Sequence, residues 1–450
     1  MTRQQCMTKQ QCMTRQQCMT RQQGMTRSIF LILCGLLQLA ISPTQATPLQ
    51  LLLDQFHSAS PGLQAEVARV ESLREQASAS SAFPAPELSL EWGNRAVSPG
   101  MSNQTMYYGG VIVGQEFMFP GKRASMQKAE AQRTNMAQAD YQVLERNGAF
   151  RIAQLYLEIH MTQQRKQVLD LTLAVLVSIQ ESARRRFETG MAGMEDVFRL
   201  QAEMARLRSD SLSLMGDERA MRIMLSAGMG ITTPANIPTV IAFSDKSHPL
   251  PELDSLLSLS HQRPELSSMS SGKHMATNEF NASKLRKIPD LMLQGKYMTM
   301  MGPDEWSLMV GVKVPIAPWS SAQYRSEEGA AKAREKEAMA REQNMALMIE
   351  QDVRESVMRL QTAQDKLRQV LQEQVVTAQN ALRSAQISYG SGKSDLTMSL
   401  DAVRMVLMAK EEAVMAHTGV LLATLNLEKA TGVPPGTWLL ESTSPQGVPQ

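Results

Sequence analysis

The residues able to ligate a metal in this 450-residue chain are six histidines, four cysteines and 33 methionines. His57, His160, His248, His261, His274 and His417 share no metal-ligand spacing. Cys6, Cys12, Cys18 and Cys34 all fall within the first 34 residues. Thioether sulfur favours soft ions such as Cu(I), and Met298, Met300 and Met301 cluster on an expected loop. Methionine also fills helical cores, and most of the others have helical spacing. Nothing pairs a nucleophile with a base or forms a phosphate-binding loop, so the residue chemistry points away from an enzyme and implies no cofactor. Three aspartates remain. Asp196, Asp395 and Asp401 each follow a glycine-bearing break in a long helical pattern. Acids in the first turn of a helix favour its dipole and cap exposed N–H groups; a pore-lining role is the alternative for Asp401.

The elements that must position these residues begin after an unusual start. Residues 1–24 repeat a hexapeptide, "MTRQQC MTKQQC MTRQQC MTRQQG", with no apolar face to bury. It reads as sequence upstream of a true start at Met25, with a cysteine-based metal tract as the other reading. From Met25, Arg27, the apolar run "IFLILCGLLQLAI" and the small residues of "SPTQA" have the pattern of a secretory signal peptide cut after Ala46. Five basic residues and no acid leave with the first 46. That leaves 41 basic residues against 44 acidic ones, about −3, so the basic balance of the whole chain does not imply a nucleic-acid partner. The mature chain has no cysteine and no run of 18 apolar residues. If it enters a membrane, it does so as a β-barrel.

Helical periodicity covers residues 49–80 and stops at "FPAP". "ELSLEWGN" (87–94) and "MYYGGVIVGQEFMF" (106–119) then read as two strands of membrane length, with aromatics near their ends. After "PGKR", residues 124–187 contain no proline and a single glycine, Gly148. At 1.5 Å per residue that helix is roughly 100 Å long. "FETGMAGMEDV" breaks the pattern, and a second helix runs from Glu195 to Leu225. The order then recurs: helix 252–285, strands at 288–298 and 305–316, a long helix 322–388, the break "YGSGKSDLTMS", and a last helix to about 432. Phe187 to Tyr389 and Gly190 to Gly392 are both steps of 202, and Pro86 to Pro289 is 203, the signature of an internal duplication. The expected organisation is residues 47–240 as a first repeat, 241–435 as a second and 436–450 as a tail.

Each glycine pair is expected to turn an antiparallel helical hairpin, since glycine supplies the positive φ that ends a helix. Four strands cannot close a barrel, which needs about eight or more, and lipid does not tolerate open sheet edges. Several copies must therefore pool their strands. The expected fold is an α+β membrane protein, a homotrimer with a twelve-stranded barrel held in lipid at one end and an α-helical tunnel at the other.

The duplication, the strand pairs and the tips "FETGMAGMEDV" and "YGSGKSDLTMSLDA" resemble the TolC family of outer-membrane efflux channels over essentially the whole mature chain. "GQEFMFPGKR" (114–123) is similar to the heavy-metal, CzcC/CusC-like branch. The resemblance implies docking onto a periplasmic adaptor through tips that here carry Arg186, Glu188, Gly190, Gly390, Gly392 and Lys393; a solvated coiled-coil surface is the competing reading for Arg186 and Glu188. It also implies an inner-membrane pump of the resistance-nodulation-division type. In the family, acids six and nine residues after the second tip glycine ring the aperture. From Gly392 these positions are Met398 and Asp401, so the second is kept and the first is not. Six residues after Gly190, Asp196 and Val197 match the family's Asp-Val. The rival readings are a channel for drugs or for type I secretion, and a soluble periplasmic coiled-coil adaptor.

Overall fold

The computed structural model describes residues 48–96, 105–231, 251–300, 304–315 and 321–441. The hexapeptide repeat, the signal peptide and Met301 lie outside the described residues. Helix α1 (Pro48–Ala59) and α2 (Pro61–Ser80) replace the single helix that the spacing predicts over 49–80. Ser60 sits at φ −67°, ψ 115° before Pro61. A residue preceding proline is driven out of the helical region, while proline itself fits the first turn. Arg263 and Pro264 repeat the device (φ −62°, ψ 135°). The helix expected over 252–285 is accordingly two, α5 (Leu253–Ser260) and α6 (Pro264–Leu285).

Strands β1 (Glu87–Ala96), β2 (Thr105–Phe117), β3 (Asp290–Met300) and β4 (Glu305–Lys313) form one antiparallel sheet in that order. Its register sorts the side chains by chemistry. Leu88 pairs with Val113, Val113 with Gly295 and Gly295 with Leu308. Because side chains alternate along a strand, Leu90, Trp92, Tyr107, Val111, Phe117, Leu291, Tyr297, Trp306 and Val310 share that face, and all but the half-buried Phe117 are exposed. Trp92 and Trp306 are 84% and 81% exposed. The opposite face holds Glu91, which accepts from Tyr108 (3.2 Å) and pairs with Lys296, and an ion pair of Lys313 with Glu116 (3.4 Å). One face is therefore built for an apolar medium and the other for water. Within the described residues β1 and β4 are edge strands, each presenting an unpaired row of backbone groups.

The turn "FPGK" joins the sheet to the helices. Gly121 takes φ 100° at the head of α3 (Lys122–Glu188). The buried Lys122 donates to the Asp290 carboxylate (2.8 Å) and to the Ile288 carbonyl (2.5 Å), and Asp290 accepts from the Phe119 N–H at 2.8 Å. The helix of the first half is thus pinned to the first strand of the second.

Helix α3 has 67 residues, and α4 (Met194–Gly228) returns along it. Gly148 is where Phe56 of α1 crosses α3: a Cβ there would lie 2.2 Å from the ring. In the second half α7 (Ser321–Gln369), a π-turn at Val370–Gln374 and α8 (Val375–Gly390) form the outgoing arm, and α9 (Leu396–Thr431) the returning one. The π-turn has no counterpart in α3. Leu176, Leu200, Leu207, Leu396 and Leu400 fuse the two hairpins into one core cluster, each buried leucine contributing about 1.5–3 kcal/mol. At the other end of α9, the buried Glu428 carboxylate accepts from the N–H groups of Gly436, Trp438 and Leu439, which ties α10 (Thr437–Glu441) to it.

Candidate functional site at the paired hairpin tips

Both outgoing helices stop in the same way. At the first tip Met191 N–H donates to the Arg186 carbonyl (2.7 Å) and Gly190 N–H to the Phe187 carbonyl (2.9 Å), with Gly190 at φ 73°. At the second, Lys393 N–H donates to Ser388 (2.9 Å) and Gly392 N–H to Tyr389 (3.0 Å), with Gly392 at φ 75°. This is the Schellman motif, which needs a left-handed residue after the helix. The glycine spacing read from the sequence marks both positions.

The returning helices start differently. Gly193 caps α4 with no side chain, so Glu195 and Asp196 lie inside the first turn. Asp395 caps α9: its carboxylate accepts from Leu396 N–H (2.7 Å) and from the Thr397 hydroxyl (3.0 Å).

Three side chains then lock one tip onto the other. Arg186 donates through Nη1 to the Tyr389 carbonyl (2.8 Å) and through Nη2 to its own turn at Met191 (3.4 Å), and its guanidinium lies 4.4 Å above the Tyr389 ring. The Tyr389 hydroxyl donates to Asp196 Oδ2 at 3.4 Å. Both Asp196 and Tyr389 are buried. Burial, helped by the charges of Asp395 and Glu195, pushes the Asp196 carboxyl above its ordinary range. Burial also raises the Tyr389 phenol, and the Asp196 charge adds to it. A second layer lies one or two turns further in. Arg404 of α9 donates to both oxygens of the buried Glu203 of α4 (3.2 and 2.8 Å), and this bonding holds the Glu203 carboxyl below its usual range. Arg199 donates to Thr397 at 3.3 Å.

Asp401 belongs to this second layer as an exposed acid, 61% accessible and 3.5 Å from Arg404. Met398 is exposed as well. Glu188 is paired on its own helix with Arg184 (3.1 Å). Gly390 ends α8, and Lys393 is exposed beside it. The structure thus brings Arg186, Asp196 and Asp395 together around Tyr389 and leaves Glu188, Lys393 and Asp401 on the surface. Sequence reasoning missed Tyr389, Arg199, Glu203 and Arg404. A signal for Tyr389 was present, since it occupies the position of Phe187 in the other half.

The methionines are placed otherwise than expected. Met298 lies within β3 and Met300 ends it, opposite Gly110 and Tyr108, so neither is on a loop. The pleat sends Met292, Lys296 and Met298 to the polar face. Among the described residues no group of three His, Cys, Asp or Glu side chains is arranged to hold a metal ion, and no helix is long and apolar enough to cross a membrane.

Paired long hairpins joined to a four-stranded sheet are the fold of known outer-membrane channels. The chain is similar to the channel OprN (18% identity, 86% of this chain and 90% of that one, TM-score 0.73). It is similar to CusC (16%, 86% and 92%, 0.74) and to VceC from Vibrio cholerae (18%, 86% and 96%, 0.72). None of the curated protein sequences matches it. The model of the family described as outer membrane efflux protein matches residues 52–230 and 244–433. The chain therefore belongs to the outer membrane efflux protein family, whose members are TolC-type channels and not enzymes.

Proposed function

We propose that this chain is the outer-membrane channel of a tripartite resistance-nodulation-division efflux system, exporting heavy-metal cations from the periplasm as a homotrimer. The observation that carries the reading is the sheet. Its apolar face, rimmed by Trp92, Tyr107, Tyr297 and Trp306, suits lipid, its charged face suits a wet lumen, and its two edges call for partners. Three copies supply twelve strands, a number that closes a barrel. The hairpins then extend into the periplasm, and their tips form the aperture and the surface offered to a periplasmic adaptor, with the pump loading the duct. The likeness of the Phe119-Pro120-Gly121-Lys122 turn to the CzcC/CusC-like branch is what favours metal cargo over a drug or type I secretion channel. The duct itself performs no chemistry; Asp401 and Asp395 set the charge near its mouth.

A deletion strain tests the cargo. Loss of zinc or copper tolerance with unchanged drug tolerance is expected, whereas unchanged metal tolerance removes the metal claim. Carbonate extraction of membranes tests the location: the chain should stay in the pellet, and release into the soluble fraction would favour the adaptor reading.

A further inference from the structure

We propose that the cleft where the sheet meets the helices binds an anionic phospholipid of the adjoining leaflet, with its phosphate on Arg123 and an acyl chain along Phe83, Phe117 and Leu291. The inference rests on the outer-membrane reading above. The cleft, about 700 Å³, is lined by Phe83, Pro84, Phe117, Phe119, Pro289 and Leu291 among others, and lies within the range of roughly 300–1,000 Å³ of pockets that hold small ligands.

Its chemistry is that of an amphiphile site. Phe117 and Leu291 are register partners on the apolar face of the sheet. Phe83 stacks edge-on against Phe117, with ring centroids 6.1 Å apart, yet is itself 61% exposed. Arg123 is the one charged residue in the lining. Its guanidinium sits 4.0 Å over the Phe83 ring, and among the described residues it has no acidic partner. Neighbouring Lys122, by contrast, is neutralised by Asp290. A guanidinium without an acidic partner has N–H donors to offer, and its planar fork matches phosphate oxygens. Leu293 follows Leu291 on the same face of β3, so apolar side chains continue beyond the cleft along the sheet, as an acyl chain requires.

A second copy of the chain is a poorer occupant. Pooled strands join at the edges β1 and β4, whereas Phe117 and Leu291 lie on the central strands β2 and β3.

Native mass spectrometry of the purified full-length protein in mild detergent, titrated with phosphatidylglycerol, tests the proposal. Wild type is expected to retain the lipid. Arg123→Gln should lose about tenfold in apparent affinity. Ala124→Trp, which keeps the charge and fills the cleft, should lose as much. Equal retention by wild type and both variants overturns the proposal, as does no retention by wild type. Inorganic phosphate displacing the lipid completely would reduce the site to an anion site and overturn the acyl claim. The same spectra report the number of copies. An Ala124→Trp protein that dissociates would make the cleft a contact between copies, which also overturns the proposal. A wild type that is never trimeric but still binds lipid through Arg123 would instead count against the channel reading alone.

Discussion

The two hairpin tips share a backbone and differ in almost every side chain that touches it. Both glycines adopt φ near +74°, and both N-cap residues adopt φ near −81° with ψ near 159°. Yet Phe187 is 43% exposed and Tyr389, its counterpart 202 residues on, is 3% exposed. Gly193 caps one returning helix and Asp395 the other. Arg186 reaches across to the second tip, while its counterpart Ser388 has a short side chain. The comparison teaches that a repeated spacing fixes the turn, and that unlike side chains then make the two turns complementary. Two identical tips would offer arginine to arginine; these offer a cation and an acid to a tyrosine.

The largest effect should come from Arg186→Ala. It removes a charge-assisted hydrogen bond and a cation–π contact that only one tip supplies, at a cost of about 2 kcal/mol. Protection factors from amide exchange at residues 389–396 should fall roughly thirtyfold; unchanged protection would mean the tips pack without this contact. Gly190→Ala and Gly392→Ala come next. A Cβ at Gly190 meets nothing within 4 Å, and one at Gly392 only the Arg186 Nη2 at 4.0 Å, so the cost is the left-handed backbone, about 1 kcal/mol each. Denaturant midpoints should shift alike in the two variants, and unequal shifts would break the claim that the turns are the same. Tyr389→Phe, which makes the second tip resemble the first, should cost under about 1 kcal/mol through its long bond to Asp196, while Phe187→Tyr should change nothing measurable.

The acids at the two layers titrate in opposite senses. Because the folded Asp196 carboxyl lies above its ordinary 3.8, its ionisation is a penalty, absent below that value and present once pH exceeds the raised one. Asp196→Asn should therefore stabilise the tip near neutral pH and do nothing in strong acid. Glu203 lies below its ordinary 4.5, so its contribution is present above that value and lost as pH falls through the depressed one. Glu203→Gln should cost stability at neutral pH and none in acid. Urea unfolding at pH 7 and pH 3 separates the two, and parallel behaviour would show that the burial argument for Asp196 is mistaken.

Much of this was legible in the sequence because it rests on local rules. Glycines at a step of 202 marked the turns, alternation within "ELSLEWGN" marked a strand, and "EWSLMVGVKVPI" marked another as the echo of "GGVIVGQEFMF". The helix breaks at Ser60–Pro61 and Arg263–Pro264 were not seen, because the apolar period runs across both and only the proline betrays them. The bond from Tyr389 to Asp196 joins residues 193 apart, and no periodicity reports which of several polar residues near a turn will meet. Met298 and Met300 were read as a loop because the sequence pattern fades after Tyr297, whereas the backbone ladder to β2 continues to Met300.

Single-channel recording of the purified protein in planar bilayers tests the central claim most directly. The account predicts discrete steps of small conductance for the wild type, rising in Arg186→Ala as the tips part. Bilayers that stay silent with both proteins, or identical steps from the two, would contradict it.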